Sequence, residues 1–587
     1  MRADLRRSVA VRCWRVLSVV LLLALTAACA TIPTAGPVRQ GRVLDQGPPE
    51  GGPKIVAQSP ADGASPEAIV SGFVQSGADF RDEHAFAREY LTGAARGEWD
   101  PGTRTTIYDK GADVFYERQA DGSIVMTATE VAHIDEDGRY ERVPPETVLK
   151  RTFSLTKVSG QWRIARTDDG LLLSTTDRDV SYRQFNMYFL APSKTTVVPD
   201  PVLLPAALPG LATKLVTRLL QGPTSALQGA VETAFPQGTK LEVASVPVRG
   251  GLATVDLNDA ALQADPSTRN RMSAQIAYTL RQLPEVRRVR IRAAGNDLVT
   301  SGVPREQPVS TWGSYNPDIL GQSASLYVVR DSRVGQLVNR RFEPLLGPVG
   351  LPGRGYRQPA VSPDAQRIAV TDANRGALFV GRLSQVTSLD PVPVPGTDVS
   401  LSPASWDENS DLWLVDRTSG RLLLYPRDGK GVVPVPVPRL EGGLLSAARV
   451  ARDGTRIALV AGRGPTSRLY LGAVLHSPSG GVQEIDALRE VLPDLRGISD
   501  VSWLDADTLV AVGVRRGDVA RPLQTDTDGL EVDADIQPLK DLVSVAAAPA
   551  GTKRPLVAAT AAGQLHQWDA SLGWLPLGLG RDPAYPG

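Results

Sequence analysis

Residues 449–460 read RVARDGTRIALV: an apolar stretch, a polar turn built on Asp453-Gly454, then a second apolar strand centred on Ile457. The same unit returns as AVSPDAQRIAV (360–370), ASWDENSDLWLV (404–415), VSWLDADTLVAV (501–512) and AAAPAGTKRPLVAA (546–559). Anchored on Ile368, Leu412, Ile457, Leu509 and Leu556, the copies are spaced 44, 45, 52 and 47 residues apart. A four-stranded propeller blade takes about that length, and further apolar strands follow each unit, such as Ala377–Val380 and Leu422–Tyr425. The repeat predicts a C-terminal all-β propeller over 303–587 with six blades, five being the alternative count. A half-blade at Ser325–Val329 and Gln336–Val338 is expected to close the ring with C-terminal strands at Leu565–Trp568 and Trp574–Leu577.

Upstream of the repeat the pattern changes twice. Over 65–180, Ser65-Pro66-Glu67 supplies a cap and an N1 proline, after which Ile69, Val70, Phe73 and Val74 recur at helical spacing. A second helix is expected around Asp82–Leu91, with Phe86 and Tyr90 on one face. Alternating stretches at Ile124–Thr129 and Thr152–Leu155, broken by Asp137-Gly138 and Ser159-Gly160, then predict antiparallel strands. Helices first and a sheet after them make an α+β domain, with a cone-shaped, cystatin-like sheet as one form. Over 181–302 the strand candidates Tyr188–Leu190, Leu252–Leu257 and Val289–Ile291 interleave with amphipathic helices at Leu211–Gln221 and Ser273–Leu283, an α/β module.

The N-terminus sets location. Five arginines (Arg2, Arg6, Arg7, Arg12, Arg15) precede an uncharged, mostly apolar run from Val16 to Ala28, too short at about 1.5 Å per residue to cross a hydrocarbon core of about 30 Å. Small residues, Ala27-Ala28, follow, so residues 1–28 read as a cleaved signal peptide. Leu25-Thr26-Ala27-Ala28-Cys29 resembles the lipobox of bacterial lipoproteins, with Thr26 where a leucine is usual. That resemblance implies cleavage between Ala28 and Cys29, and a Cys29 carrying an S-diacylglyceryl group and an N-acyl chain such as palmitate. Cys13 lies in the removed segment, so the mature chain has no second cysteine for an internal disulfide. Residues 29–64, rich in Pro, Gly and Gln, read as a flexible tether. Residues 1–28 hold five arginines and one aspartate, so without them 64 basic and 64 acidic residues become 59 and 63, a net charge of about −4. Such a balance carries no footprint for nucleic acid or anionic lipid.

No catalytic constellation emerges. The chain has no Gly-x-Ser-x-Gly elbow, no His-Glu-x-x-His and no phosphate loop ending in Gly-Lys-Ser/Thr. Its four histidines, His84, His133, His476 and His566, stand far apart, His84 on an expected surface helix and the others in strands or loops. Asp407-Glu408-Asn409-Ser410-Asp411 begins like a calcium loop, but Leu412 and Thr418 occupy the positions of its glycine and closing glutamate, so a strand-connecting turn is expected. Asp526-Thr527-Asp528-Gly529, with Glu531, Asp533 and Asp535, reads as a solvated inter-strand loop rather than a cation site. No cofactor or metal is expected, and the Trp406-Asp407 pair belongs to the blade repeat as packing.

Jointly these residues resemble the LpqB family of actinobacterial lipoproteins over nearly the whole chain. Cys29-Ala30-Thr31-Ile32-Pro33, running on to Gly36-Pro37, is similar to the family's mature N-terminus. "LLQGP", "AFPQGTKL" and "ATVDL" within 211–257, and "QIAYTLRQLPEVRRVRI" (275–291), resemble the GerMN module, a small α/β binding domain. Ser362-Pro363-Asp364 matches the Ser-Pro-Asp-Gly turn of periplasmic propellers, with Ala365 in place of the glycine. The resemblance implies a lipid-anchored, extracytoplasmic, non-enzymatic accessory. Its implied partner is the extracytoplasmic domain of a membrane sensor histidine kinase in a two-component system for cell-wall metabolism and division. A module that binds cell-wall glycan or peptide at the propeller mouth is the alternative.

Overall fold

The computed structural model describes residues 57–111, 114–206, 210–318, 325–383, 388–530, 536–548 and 555–587. Residues 54–587 form one compact unit. The expected signal peptide, Ala28, Cys29 and most of the tether lie outside the described residues.

The N-terminal domain opens on helix Pro66–Ser76, where the Ser65 side chain accepts from the Ala68 N–H at 3.2 Å and Pro66 fills N1. The helix buries Ile69, Val70, Phe73 and Val74 against a sheet ordered Gln161–Arg166, Val148–Val158, Ile124–Ile134, Thr105–Tyr108, Leu171–Ser174. The single helix expected over 82–91 is instead a 3-10 turn, Arg81–Glu83, and a short helix, Ala85–Glu89. Asp82, Glu83 and His84 all take left-handed backbone angles, which a helix cannot continue through.

The middle domain joins hairpin Tyr182–Leu190/Val197–Pro205 to a parallel pair, Leu252–Leu257 and Arg288–Ala293, under helices Leu211–Leu220 and Pro266–Leu280. The second helix starts at Pro266 rather than Ser273, because the Asp265 carboxylate caps it, accepting from Ser267 N–H at 2.8 Å and Thr268 N–H at 3.1 Å. This domain runs past residue 302: Glu306–Pro308 pairs with Arg288–Ala293, and Trp312 is buried in the domain core.

Six sheets follow, their second strands carrying every anchor of the repeat except in the first sheet, which has none. Blades 2 to 6 begin with Arg357–Val361, Ser405–Trp406, Leu445–Val450, Leu495–Trp503 and Leu542–Ala547. Blade 1 consists of Tyr327–Arg330, Arg333–Val338 and Arg341–Pro344, and its innermost strand is Arg581–Ala584. The expected closing strands around Leu565 and Trp574 instead complete blade 6, behind Leu542–Ala547 and Leu556–Thr560. Apolar clusters bridge each neighbouring pair of blades all the way round; the last joins Val557, Ala559 and Leu565 of blade 6 to Leu326 and Val328 of blade 1. The ring is therefore shut by packing as well as by strand pairing.

The turn between first and second strands repeats in atomic detail. In blade 4, Ala451 N–H donates to Arg456 C=O and Gly454 N–H to Ala451 C=O; in blade 2, Ser362 and Ala365 do the same with Arg367 and Ser362. Gly454 has φ 71° and Ala365 φ 54°, so the alanine occupies a left-handed slot that glycine fills without strain.

Candidate functional site

The four histidines are dispersed. His84 is buried between the 3-10 turn and the short helix, not on a surface helix, and burial pushes its imidazole below its ordinary pKa. His133 sits on strand Ile124–Ile134 near Glu130 and Glu141, His476 ends strand Arg468–His476, and His566 lies on Gln564–Asp569.

Asp407 organises a strand turn. Its Oδ1 accepts from the N–H groups of Asn409 (2.9 Å) and Asp411 (3.0 Å), and Oδ2 accepts from Trp413 Nε1 at 3.0 Å. Burial, with Asp411 beside it, pushes the Asp407 carboxyl up to about 7. The loop at Asp526–Gly529 departs from the solvated expectation, since Asp526 and Asp528 are both buried. Asp526 Oδ1 accepts from the N–H groups of Asp528 and Leu530, while Asp528 pairs with Arg489 at 2.9 Å. Glu531, Asp533 and Asp535 lie outside the described residues. Among the described residues no cluster of three or more His, Cys, Asp or Glu side chains is arranged to hold a metal ion.

What the fold does build is an occupied propeller end. The middle-domain hairpin lies against turns that join first to second strands in blades 3, 4 and 5. Ser193 and Thr196 hydroxyls donate to Glu408, Arg456 Nη1 donates to Pro199 C=O at 3.1 Å, and Asn186 bonds Asp507. Ala506 N–H donates to Asp318 at 2.8 Å. Between hairpin and ring, the buried Asp200 carboxylate accepts both the N–H and the hydroxyl of Thr224, at 2.7 and 2.8 Å. Sequence reasoning missed this docking because its polar partners are scattered over more than 300 residues; the hairpin Asn186 and the turn Asp507 are 321 apart.

The central channel is nearly filled. Inner strands from all six blades, with Tyr585 and Gly587, line a space of about 90 Å³. An engineered cavity of about 150 Å³ takes benzene, so this space is small for a sugar ring. Most polar groups there stitch blades together: Ser405 Oγ accepts from Val450 N–H, Ser502 Oγ from Ala547 N–H and Asp500 Oδ2 from Val545 N–H. A roomier cleft of about 460 Å³ opens between the N-terminal and middle domains, walled by Phe80, Tyr182, Leu171 and Leu203, with His84 and Lys214 on its lining. That volume lies in the range of small-ligand pockets.

Comparison with known proteins fixes the family. Residues 59–179 match the model "Lipoprotein LpqB, N-terminal domain", 186–299 match "Sporulation and spore germination", and 332–586 match "Lipoprotein LpqB beta-propeller domain". Lipoprotein LpqB of Thermobifida fusca is 30% identical, covering 97% of this chain and 98% of its own. The chain belongs to the LpqB family. Lipoprotein LpqB of Streptomyces coelicolor is 32% identical over 100% of this chain and 99% of its own. Among solved structures, the tandem GerMN domains of the sporulation protein GerM from Bacillus subtilis align over 22% of this chain and 45% of that one, at 20% identity and TM-score 0.19. Membership in the LpqB family makes the protein a lipoprotein of multidomain architecture; among the described residues no helix is long and apolar enough to cross a membrane.

Proposed function

We propose that the protein is a non-enzymatic accessory, held at the extracytoplasmic face of the cell membrane by lipid on Cys29, that binds and modulates a sensor histidine kinase ectodomain. The observation that carries this reading is the docking of the middle domain onto one propeller end, within the one compact unit that residues 54–587 form. Preformed surfaces lose little conformational entropy on association, and a lipid tether raises the effective concentration of such a body near membrane partners. The nearly filled channel supports a surface-to-surface partner over a ligand drawn into the ring. The 460 Å³ cleft between N-terminal and middle domains favours one second reading, capture of a short cell-wall peptide there.

Crosslinking in intact cells with the native lipoprotein as bait, followed by mass spectrometry of the membrane fraction, tests the proposal. A kinase ectodomain recovered reproducibly, and lost with a secreted Cys29→Ala form at native level, is the expected result. Recovery of wall fragments without any kinase would overturn it and leave the peptide reading standing.

A further inference from the structure

At the propeller end opposite the docked hairpin, turns joining second to third strands carry arginines: Arg375 in blade 2, Arg417 in blade 3 and Arg463 in blade 4. The two ends are fixed by one strand: Leu412–Asp416 starts beside the Glu408 turn that meets the hairpin and finishes at Arg417. The three turns are bound to one another. Leu401 N–H donates to Arg375 C=O, Arg417 N–H donates to Ser400 C=O, and an Arg463 Nη donates to Arg417 C=O. Arg417 Nε donates to Ser446 C=O at 2.7 Å, which holds this guanidinium beside the start of inner strand Leu445–Val450. Arg449, from the same inner strand, lines the channel itself.

We propose that Arg375, Arg417 and Arg463 form a binding site for a phosphate-bearing ligand at this end of the propeller. The fold concentrates positive charge at these turns. None of the three arginines has an ion-pair partner among the described residues. Asp372, on the Arg375 turn, accepts from the N–H groups of Gly376 and Ala377, and two further carboxylates are engaged. Asp500 pairs with Arg449 at 3.4 Å and accepts from Val501 and Val545 N–H groups; Asp416 accepts from Ser400, Thr418 and Ser419 and faces Arg421 at 3.8 Å. Burial and the neighbouring Arg375, Arg449 and Arg463 charges, against Asp500, together lower the Arg417 pKa, so the ligand-free cluster is held against its own repulsion. Arg375 has φ 62° and its N–H donates to Asp372 C=O at 3.0 Å, the same left-handed turn position as Ala365 and Gly454.

A phosphate monoester matches this concentration of positive charge better than a single carboxylate. It carries a charge of about −1.5 to −2 at neutral pH and three strong acceptor oxygens, and guanidinium forks bind it through paired N–H groups. The site would accept the phosphoryl group of a soluble ester or of a lipid headgroup. It stands apart from the kinase proposal and uses none of its assumptions.

The test is calorimetric titration of the full-length lipoprotein in detergent at low salt. Glycerol 3-phosphate serves as the soluble probe, and phosphatidic acid dispersed in the same detergent micelles, against phosphatidylcholine, as the lipid probe. Binding of either probe that falls at least tenfold in an Arg375→Gln/Arg463→Gln variant, and is unchanged in Arg516→Gln, is expected; both altered side chains are exposed, so the fold should persist, which circular dichroism checks. Which probe binds identifies the source. Failure of both probes to bind the wild type, or equal binding by the double variant, would overturn the site. Poly-glutamate binding as tightly as the phosphates would overturn the phosphate assignment in favour of an acidic protein surface.

Discussion

Two single residues show how local chemistry bears on this fold. Ala365 takes the left-handed slot that Gly454 fills one full repeat pair later, with the same two turn hydrogen bonds. An alanine there costs about 1–2 kcal/mol in backbone strain, partly offset by the greater unfolded-state freedom of glycine. Ala365→Gly is therefore expected to stabilise the propeller by about 0.5–1 kcal/mol, read as a higher denaturant midpoint at unchanged slope. Asp407 makes a pH prediction. Its folded pKa is raised to about 7 from 3.8, so the folded state holds the proton that the unfolded state releases. Its contribution is fully present below about pH 4, is lost as pH rises to about 7, and is flat beyond. Unfolding free energy should fall across that window, and Asp407→Asn should flatten this part of the slope. The variant should also lose about 2 kcal/mol at pH 5, because its amide cannot satisfy Trp413 Nε1 as the carboxyl does. Equilibrium denaturation at several pH values checks both effects.

At the scale of elements, the blades are joined by a Ser-Trp pair used twice. Ser405 accepts from Val450 in the next blade while Trp406 Nε1 donates to Ala360 C=O in the previous one, and Ser502 and Trp503 repeat this with Ala547 and Arg449. Removing one hydroxyl leaves a buried N–H without its acceptor, at about 1–3 kcal/mol. Ser405→Ala and Ser502→Ala should each cost that much, and the double variant should cost their sum, since the two serines serve different blade pairs and share no partner. Chemical denaturation of the three variants measures this. The same level explains what the sequence shows and hides. Second strands such as Leu412–Asp416 are buried on both faces and so read as continuous apolar runs, which is why the repeat is visible. The closing strand Arg-Asp-Pro-Ala at 581–584 carries no such run; it joins blade 1 through backbone pairing at Tyr327 and Val329, and only ring geometry assigns it. Asp82–His84 hid in the same way, as their left-handed angles leave no trace in helical periodicity.

At the scale of the molecule, the two ends of the ring differ: one is covered by the middle-domain hairpin, while at the other Arg516 of blade 5 pairs with Glu146 of the N-terminal domain and Arg375, Arg417 and Arg463 have no ion-pair partner among the described residues. Family membership and domain order were legible because they reside in contiguous motifs, whereas this polarity was not. Arg375, Arg417 and Arg463 lie 42 and 46 residues apart and converge only once blades 2 to 4 are set side by side; aligning the turns after each second strand was the signal that could have found them. The covered end makes a prediction of its own. Asn186 bonds Asp507, and Glu408 accepts from Ser193 and Thr196, so Asn186→Ala/Glu408→Ala should loosen the hairpin without touching a propeller core side chain. Amide exchange in the 407–411 and 504–507 turns should then accelerate at least tenfold, equivalent to about 1.4 kcal/mol of lost docking. The turns bearing Arg375, Arg417 and Arg463 should exchange as in the wild type. Hydrogen-exchange mass spectrometry resolves the two sets of peptides. Equal acceleration at both ends would mean that the hairpin braces the whole ring, whereas acceleration at the covered end alone would mean that docking sets orientation while the propeller carries its own stability.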